Sequence, residues 1–150
     1  METGYILLVE DNPDDQALTL RALQKAGVGC EVVVVRDGVE ALDFLFGTAE
    51  QAGNSPENLP QLLMLDLKLP KVDGLEVLRT IRREERTRCL PVVVFTSSNE
   101  EQDICDSYAL GVNSYIRKPV DFHEFSDAVR QLGIYWLSLN IGPRRHSSGR

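Results

Sequence analysis

Apolar residues run with almost no polar interruption at five places along the chain: Tyr5–Val9, Glu31–Val35 after its first residue, Leu62–Leu65, Val92–Phe95 and, more briefly, Ser114–Ile116. A run without polar alternation suits a strand buried on both faces, as in a parallel sheet covered by helices. Helical spacing fills the intervals between them. Leu18, Leu20, Ala22, Leu23 and Ala26 form the first set, opened by Asn12 as N-cap with Pro13 at the first helical position and closed by Gly27. Asp14 and Asp15 then complement the positive end of the helix dipole. Asp37-Gly38-Val39-Glu40 reads as a capping arrangement before Ala41, Leu42, Leu45 and Phe46, and Ser98 with Glu101 fits a capping box before Ile104, Cys105, Tyr108 and Ala109. Leu75, Leu78 and Ile81 follow Gly74, and the mixed charges from Arg82 to Arg88 predict a solvated helix end. A last helix starts at Asp121 with Phe122, Phe125, Val129, Leu132, Trp136 and Leu139 at alternating steps of three and four, and a second stripe of Ile134, Leu137 and Ile141 joins it late.

Five strands alternating with helices predict an α/β fold: a doubly wound five-stranded parallel sheet with helices on both faces. The polar stretch between Gly47 and Pro60 predicts a long surface loop. Gly27-Val28-Gly29 predicts a turn and not a dinucleotide fingerprint, since it precedes a strand.

Composition narrows the function. A length of 150 residues fits one domain, expected over 1–140, with 141–150 as a disordered tail carrying Arg144, Arg145 and Arg150. The net charge of -7 argues against a nucleic-acid surface, which needs clustered Lys and Arg. Cys30, Cys89 and Cys105 are odd in number and widely spaced, so they read as small buried hydrophobes in a reducing compartment. With no basic-then-apolar leader and no apolar stretch near the ~20 residues that span a bilayer, a cytoplasmic protein without membrane contact is expected.

Ligands of doubly wound sheets sit outside the carboxyl ends of the strands. That rule gathers Glu10, Asp11, Asp66, Thr96 and Lys118 on one edge. An Asp closing a single strand is ordinarily a turn former or a cap; three carboxylates brought together repel and call for a hard cation with oxygen ligands. Mg²⁺ fits, binding through one or two carboxylates and sharing its other positions with water and phosphate oxygens. A carboxylate beside Mg²⁺, a lysine ammonium and a threonine hydroxyl makes a phosphoryl-transfer site, with Asp66 as nucleophile carrying an acyl phosphate.

The ordered set Val9-Glu10-Asp11-Asn12, Leu65-Asp66-Leu67-Lys68-Leu69-Pro70 with Asp73-Gly74, Thr96-Ser97, and Tyr115 before Lys118-Pro119 resembles the receiver domain of two-component response regulators over about residues 4–139. That resemblance implies a flavodoxin-like sheet of order 2-1-3-4-5. It implies that Asp66 accepts a phosphoryl group from a phosphohistidine on a sensor histidine kinase, and that Asp11, Asp66 and the main-chain carbonyl of Lys68 hold Mg²⁺, with Glu10 acting through water. Lys118 would pair with the phosphoryl oxygens, and Lys118-Pro119 would be a cis peptide. Thr96 would move inward on phosphorylation and Tyr115 would follow from an exposed position. Beyond self-phosphorylation and slow self-dephosphorylation, no enzymatic activity is implied.

A stand-alone regulator is expected, signalling by contact with an unidentified downstream protein. Tyr135, Trp136 and Leu137, with Phe122 and Phe125, form the expected interface. The long loop and the Tyr135-Trp136 extension resemble the single-domain regulators of cyanobacterial and bacterial phytochrome kinases, which implies a homodimer through the fourth helix, fifth strand and fifth helix. Two rivals compete. A haloacid-dehalogenase-type phosphatase needs a second Asp where Lys68 stands, and fails there. A phosphorylation-independent interaction module of the same fold is the alternative.

Overall fold

The computed structural model describes residues 4–27, 29–47 and 58–143. Elements alternate along the chain as β1 (Tyr5–Val9), α1 (Pro13–Ala26), β2 (Glu31–Val35), α2 (Gly38–Phe46), β3 (Leu62–Leu65), α3 (Gly74–Arg83), β4 (Val92–Thr96), α4 (Glu101–Ala109), β5 (Ser114–Arg117) and α5 (Phe122–Ile134). The strands form one parallel sheet of order β2-β1-β3-β4-β5, the doubly wound topology that the alternation predicts. Every residue of β1 and β3 is buried, as the unbroken apolar runs require, whereas the edge strands β2 and β5 are largely half-buried.

Alternate residues along each strand supply opposite faces. Leu7, Val9, Leu63 and Leu65 pack under α2 and α3 with Ala41, Leu45, Val77 and Ile81. Ile6, Leu8, Leu62 and Met64 pack under α1 and α5 with Ala22, Leu23, Val129 and Leu132. Strand register sets what meets at the carboxyl edge. Val9 stands opposite both Val35 and Leu65, so Glu10 and Asp66 emerge side by side. The ladder pins them: Glu10 N donates to the Val35 carbonyl at 3.0 Å, Asp66 N to the Val9 carbonyl at 3.1 Å, and Lys118 N to the Thr96 carbonyl at 2.7 Å.

Helix ends follow the sequence at α1, where the Asn12 side chain accepts from the amides of Asp14 and Asp15 and Gly27 closes with φ 70°. At α2, Asp37 accepts from Glu40 N at 2.8 Å, and the Glu40 carboxylate reaches back to Arg36 N, one residue beyond the usual reciprocal bond. The capping box expected at α4 does not form. Glu100 is the N-cap residue without a side-chain bond, because the Ser98 hydroxyl is turned to Asp103 Oδ2 at 2.6 Å. The last helix also departs from a single narrow seam. It gives way to a π-helical turn at Tyr135–Leu139, closed by Asn140 N donating to the Tyr135 carbonyl, which rotates the late apolar stripe. Phe125, Val129 and Leu132 are buried, while Phe122 and Leu139 face solvent.

Two further readings need correction. Cys89 and Cys105 are exposed and Cys30 is half-buried, because they stand in the loop before β4, on the outer side of α4 and just ahead of edge strand β2. Arg82 is not a solvated charge: its guanidinium donates to the carbonyls of Arg88, Leu90 and Gly111 and to Asn113 Oδ1. The middle of the expected 47–60 loop and the Arg144, Arg145 and Arg150 tail lie outside the described residues. No helix among the described residues is long and apolar enough to cross a membrane.

Candidate functional site

The five residues gathered by topology meet at the carboxyl edge. Lys118 lies at the centre, its ammonium 2.7 Å from Glu10 Oε1, 2.8 Å from Asp15 Oδ2 and 3.1 Å from Asp66 Oδ2. Asp66 is held at both oxygens. Oδ2 accepts from Lys118, and Oδ1 accepts from the Thr96 hydroxyl at 2.7 Å and from the Lys68 amide at 3.2 Å. Such a carboxylate has one orientation, fixed by three donors from separate parts of the chain.

Why the chain delivers these groups is a matter of strand ends. Asp66 follows β3 directly, Thr96 ends β4, and Lys118 follows β5 directly. Gly74 lets α3 start hard against the site: a Cβ there would lie 2.4 Å from the Asp66 carbonyl oxygen. The loop between is anchored by Leu67 and Leu69, both buried, while the Lys68 side chain between them points to solvent.

The electrostatics are those of crowded acids around one cation. Burial pushes the Glu10 carboxyl up to about 7, against the opposing pull of Lys118. Burial alone would lower the Lys118 ammonium, but its bonds to Asp15 and Glu10 outweigh this and hold it above its usual value. Lys118 therefore stays charged. Glu10, Asp11 and Asp66 each present an oxygen within 4.8 Å of the others. Asp11 is exposed and has no ion-pair partner among the described residues, so it faces outward beside two carboxylates already sharing one lysine. An all-oxygen donor set with excess negative charge and an open side fits a hard divalent cation.

Next to this cluster, a second set of contacts ties the loop after β3 to α4. Lys68 Nζ stands 3.3 Å from Asp103 Oδ2, which also accepts from Ser98. The Ser98 hydroxyl, with Lys68 behind it, holds the Asp103 carboxyl below the usual range, and Asp103 holds the Lys68 ammonium above its own. Tyr115 donates from its hydroxyl to the Ser98 carbonyl at 3.0 Å.

Several expectations change here. The Lys118–Pro119 bond is trans, as is every described peptide bond; the trans form is the favoured one before proline, and Lys118 reaches its three acids from it. Tyr115 is half-buried against the α2–α3 side of the core instead of exposed, and Thr96 is already turned onto Asp66. Of the expected interface residues, Phe125 is 4% exposed and packs edge-on to Phe95, so it lies beneath the surface. Trp136 and Leu137 cover the α1–α5 side of the protein's own core, because the π-helical turn folds them back. Phe122 and Tyr135 remain exposed. Asp15 was the residue that sequence reasoning missed. Its place in the first turn of α1 satisfied a helix-dipole account, and only its meeting with Lys118, 103 positions away, reveals it as part of the site.

The chain is similar to known proteins. The chain is 44% identical over 138 residues to the probable methanogenesis regulatory protein FilR2 of Methanothrix harundinacea, covering 92% of this chain and 86% of that one. Its structure is similar to the crystal structure of the phosphorylated cyanobacterial phytochrome response regulator RcpA, with TM-score 0.88, 41% identity, and coverage of 95% of this chain and 100% of that one. It is also similar to the Mn²⁺-bound form of response regulator Rcp1, with TM-score 0.87, 35% identity, and coverage of 94% and 99%. The profile of the response regulator receiver domain matches residues 6–130. With that match spanning both faces of the core and every member of the acidic cluster, the chain belongs to the response regulator receiver domain family.

Proposed function

We propose that Asp66 accepts a phosphoryl group from a phosphohistidine of a sensor histidine kinase in a Mg²⁺-dependent reaction, and that the protein signals through altered protein contacts. The observation that carries this reading is the double hold on Asp66, with Thr96 and the Lys68 amide on one oxygen and Lys118 on the other. A carboxylate so oriented needs no reorganisation before attack. One of its oxygens bonds to phosphorus as the nitrogen–phosphorus bond of the donor breaks, and the imidazole nitrogen keeps the bonding pair. Lys118 and Thr96 then turn from the carboxylate to the phosphoryl oxygens, neutralising charge without moving their backbone.

Asp11, Asp66 and the main-chain carbonyl of Lys68 are the groups that would hold Mg²⁺, with Glu10 acting through water. Mg²⁺ bound there supplies positive charge to the phosphoryl oxygens and to the acids beside them. The Mn²⁺ named for the Rcp1 structure supports a divalent ion of this kind.

The names of the neighbouring structures support a phytochrome as the kinase, and the exposed Phe122 and Tyr135 support a homodimer through α4, β5 and α5. The test is intact mass after incubation with acetyl phosphate, with and without Mg²⁺. A Mg²⁺-dependent phosphoryl adduct that is absent from Asp66→Asn, whose fold is unchanged by circular dichroism, is the expected result. Undiminished uptake by that variant would sink the assignment, and no adduct with either acetyl phosphate or a phosphorylated kinase would favour the phosphorylation-independent module.

A further inference from the structure

The Lys68–Asp103 pair spans the mouth of the site and has no part in the chemistry above. Both residues line a cleft of about 480 Å³ together with Asp11, Leu67, Pro70 and Asp73, so the pair and the acidic cluster share one opening. Its two halves differ in freedom. Asp103 is fixed: its carboxylate is 14% exposed, it rides on α4, and the Ser98 hydroxyl binds the same oxygen that faces Lys68. Lys68 is exposed at its tip and fixed at its root. Its side chain is 59% exposed, while its amide is bonded to Asp66 Oδ1 and its neighbours Leu67 and Leu69 are buried.

The loop that carries Lys68 is also tied on its other flank. Lys71 stands at φ 70°, unusual for a residue with a side chain, and its ammonium lies 3.5 Å from Asp37 at the start of α2. Gly74 N donates to the Leu67 carbonyl at 3.0 Å. The backbone from Leu67 to Gly74 is thus held against α2 and the start of α3, and the exposed Lys68 ammonium is its link to α4.

Resting on the phosphoryl chemistry proposed above, we infer that Asp103 is a positioning residue that sets the lifetime of the acyl phosphate by competing with the phosphoryl oxygens for the Lys68 ammonium. An amide bonded directly to Asp66 Oδ1 places the root of the Lys68 side chain within reach of a group built on that carboxylate. A phosphoryl group brings close to two negative charges and three acceptors against one charge on Asp103. Each time the ammonium leaves Asp103, the tie between the loop after β3 and the first turns of α4 is broken. Occupation of the acid site is in this way reported to α4.

The consequence for hydrolysis follows from charge flow. A water oxygen bonds to phosphorus as the phosphorus–oxygen bond to Asp66 breaks; the carboxylate keeps the bonding pair and the water proton leaves with inorganic phosphate. Charge moves off the phosphoryl oxygens toward the carboxylate in a loose transition state. An ammonium on those oxygens therefore stabilises the acyl phosphate more than its transition state, and hydrolysis slows. Asp103 draws the ammonium away and speeds it.

Half-lives of the phosphoryl adduct, followed by intact mass after removal of acetyl phosphate at fixed Mg²⁺, test this. Asp103→Asn keeps a partner for Ser98 and removes the charge; it should lengthen the half-life about threefold, the scale of one half-exposed ion pair. Asp103→Glu should return it toward the wild-type value, and in a Lys68→Ala background Asp103→Asn should have no effect. An unchanged half-life in Asp103→Asn, or the same lengthening without Lys68, overturns the inference while leaving the Asp66 chemistry standing. No adduct on the wild-type protein overturns both.

Discussion

Two buried or half-buried cations sit at opposite ends of the same sheet, and their surroundings differ in kind. Lys118, beyond the carboxyl end of β5, faces three carboxylates contributed by β1, α1 and β3. Arg82, near the amino ends of β4 and β5, faces neutral acceptors: three carbonyls and one side-chain amide. Burial lowers the Arg82 guanidinium and outweighs the opposing pull of Cys89, whereas the acids around Lys118 outweigh burial and raise it. A ring of carbonyls around a rigid planar fork has one arrangement and nothing to exchange. Carboxylates around a single ammonium keep a surplus of charge, so a metal ion or a phosphoryl group can enter and redistribute the bonds. Burial of a charge is therefore not itself a mark of function. What matters is whether its partners have other uses.

Removing each cation should expose that difference. Lys118→Ala leaves buried carboxylates facing one another, so metal-free protein should lose about 3–5 kcal/mol in urea denaturation. Millimolar Mg²⁺ should restore part of that loss, and phosphoryl uptake from acetyl phosphate should fall about a hundredfold. Full stability in the variant would mean that the acids are relieved in some other way. Arg82→Ala should cost about 2–3 kcal/mol, because the loops before β4 and β5 lose their shared donor. Here Mg²⁺ should restore nothing specific to the variant, and phosphoryl uptake should be unchanged. A slower uptake in Arg82→Ala would break the comparison by joining the two ends of the sheet.

A smaller test asks whether an acid at the carboxyl edge is enough to belong to the site. Asp37 is buried and stands at that edge, but its main partner is the Glu40 amide, and that bond holds its carboxyl below the usual 3.8. Asp37→Ala should cost about 1 kcal/mol, as for a lost cap, with no change in phosphoryl uptake. The sign of its pH dependence follows from the lowered value: the folded state favours the charged form, so the contribution is present above pH 3.8 and is lost as pH falls through the folded value. Thermal melts of wild type and Asp37→Ala should converge below that pH. A constant difference would mean that the cap works by shape and not by charge.

Much of the fold was legible in the chain because the strands announce themselves. Leu62–Leu65 and Val92–Phe95 are apolar on both faces, and a stretch of that kind has no stable place except inside a covered sheet. Helix starts at Asn12, Asp37 and Asp121 were equally plain, since each cap is a local bond within three residues. Ser98 shows where local reading stops. Its spacing from Glu101 fits a cap, yet Asp103 takes its hydroxyl. The same holds for Phe125 and Trp136: an apolar stripe says that a face is covered, and not by what. Here the covering is the chain's own sheet.

The sequence by itself determined which residue types end the strands, and hence that Glu10, Asp66, Thr96 and Lys118 share one edge, because strand direction and the period of two are set residue by residue. Only the tertiary structure decided the partners. Asp15 joins Lys118, Asp103 takes Ser98 and Lys68, and Arg82 closes on the loops before β4 and β5. These contacts join parts of the chain that no local propensity relates. A long charged side chain can reach many acceptors within its length, and which one it takes is fixed by the packing of the helices that carry them.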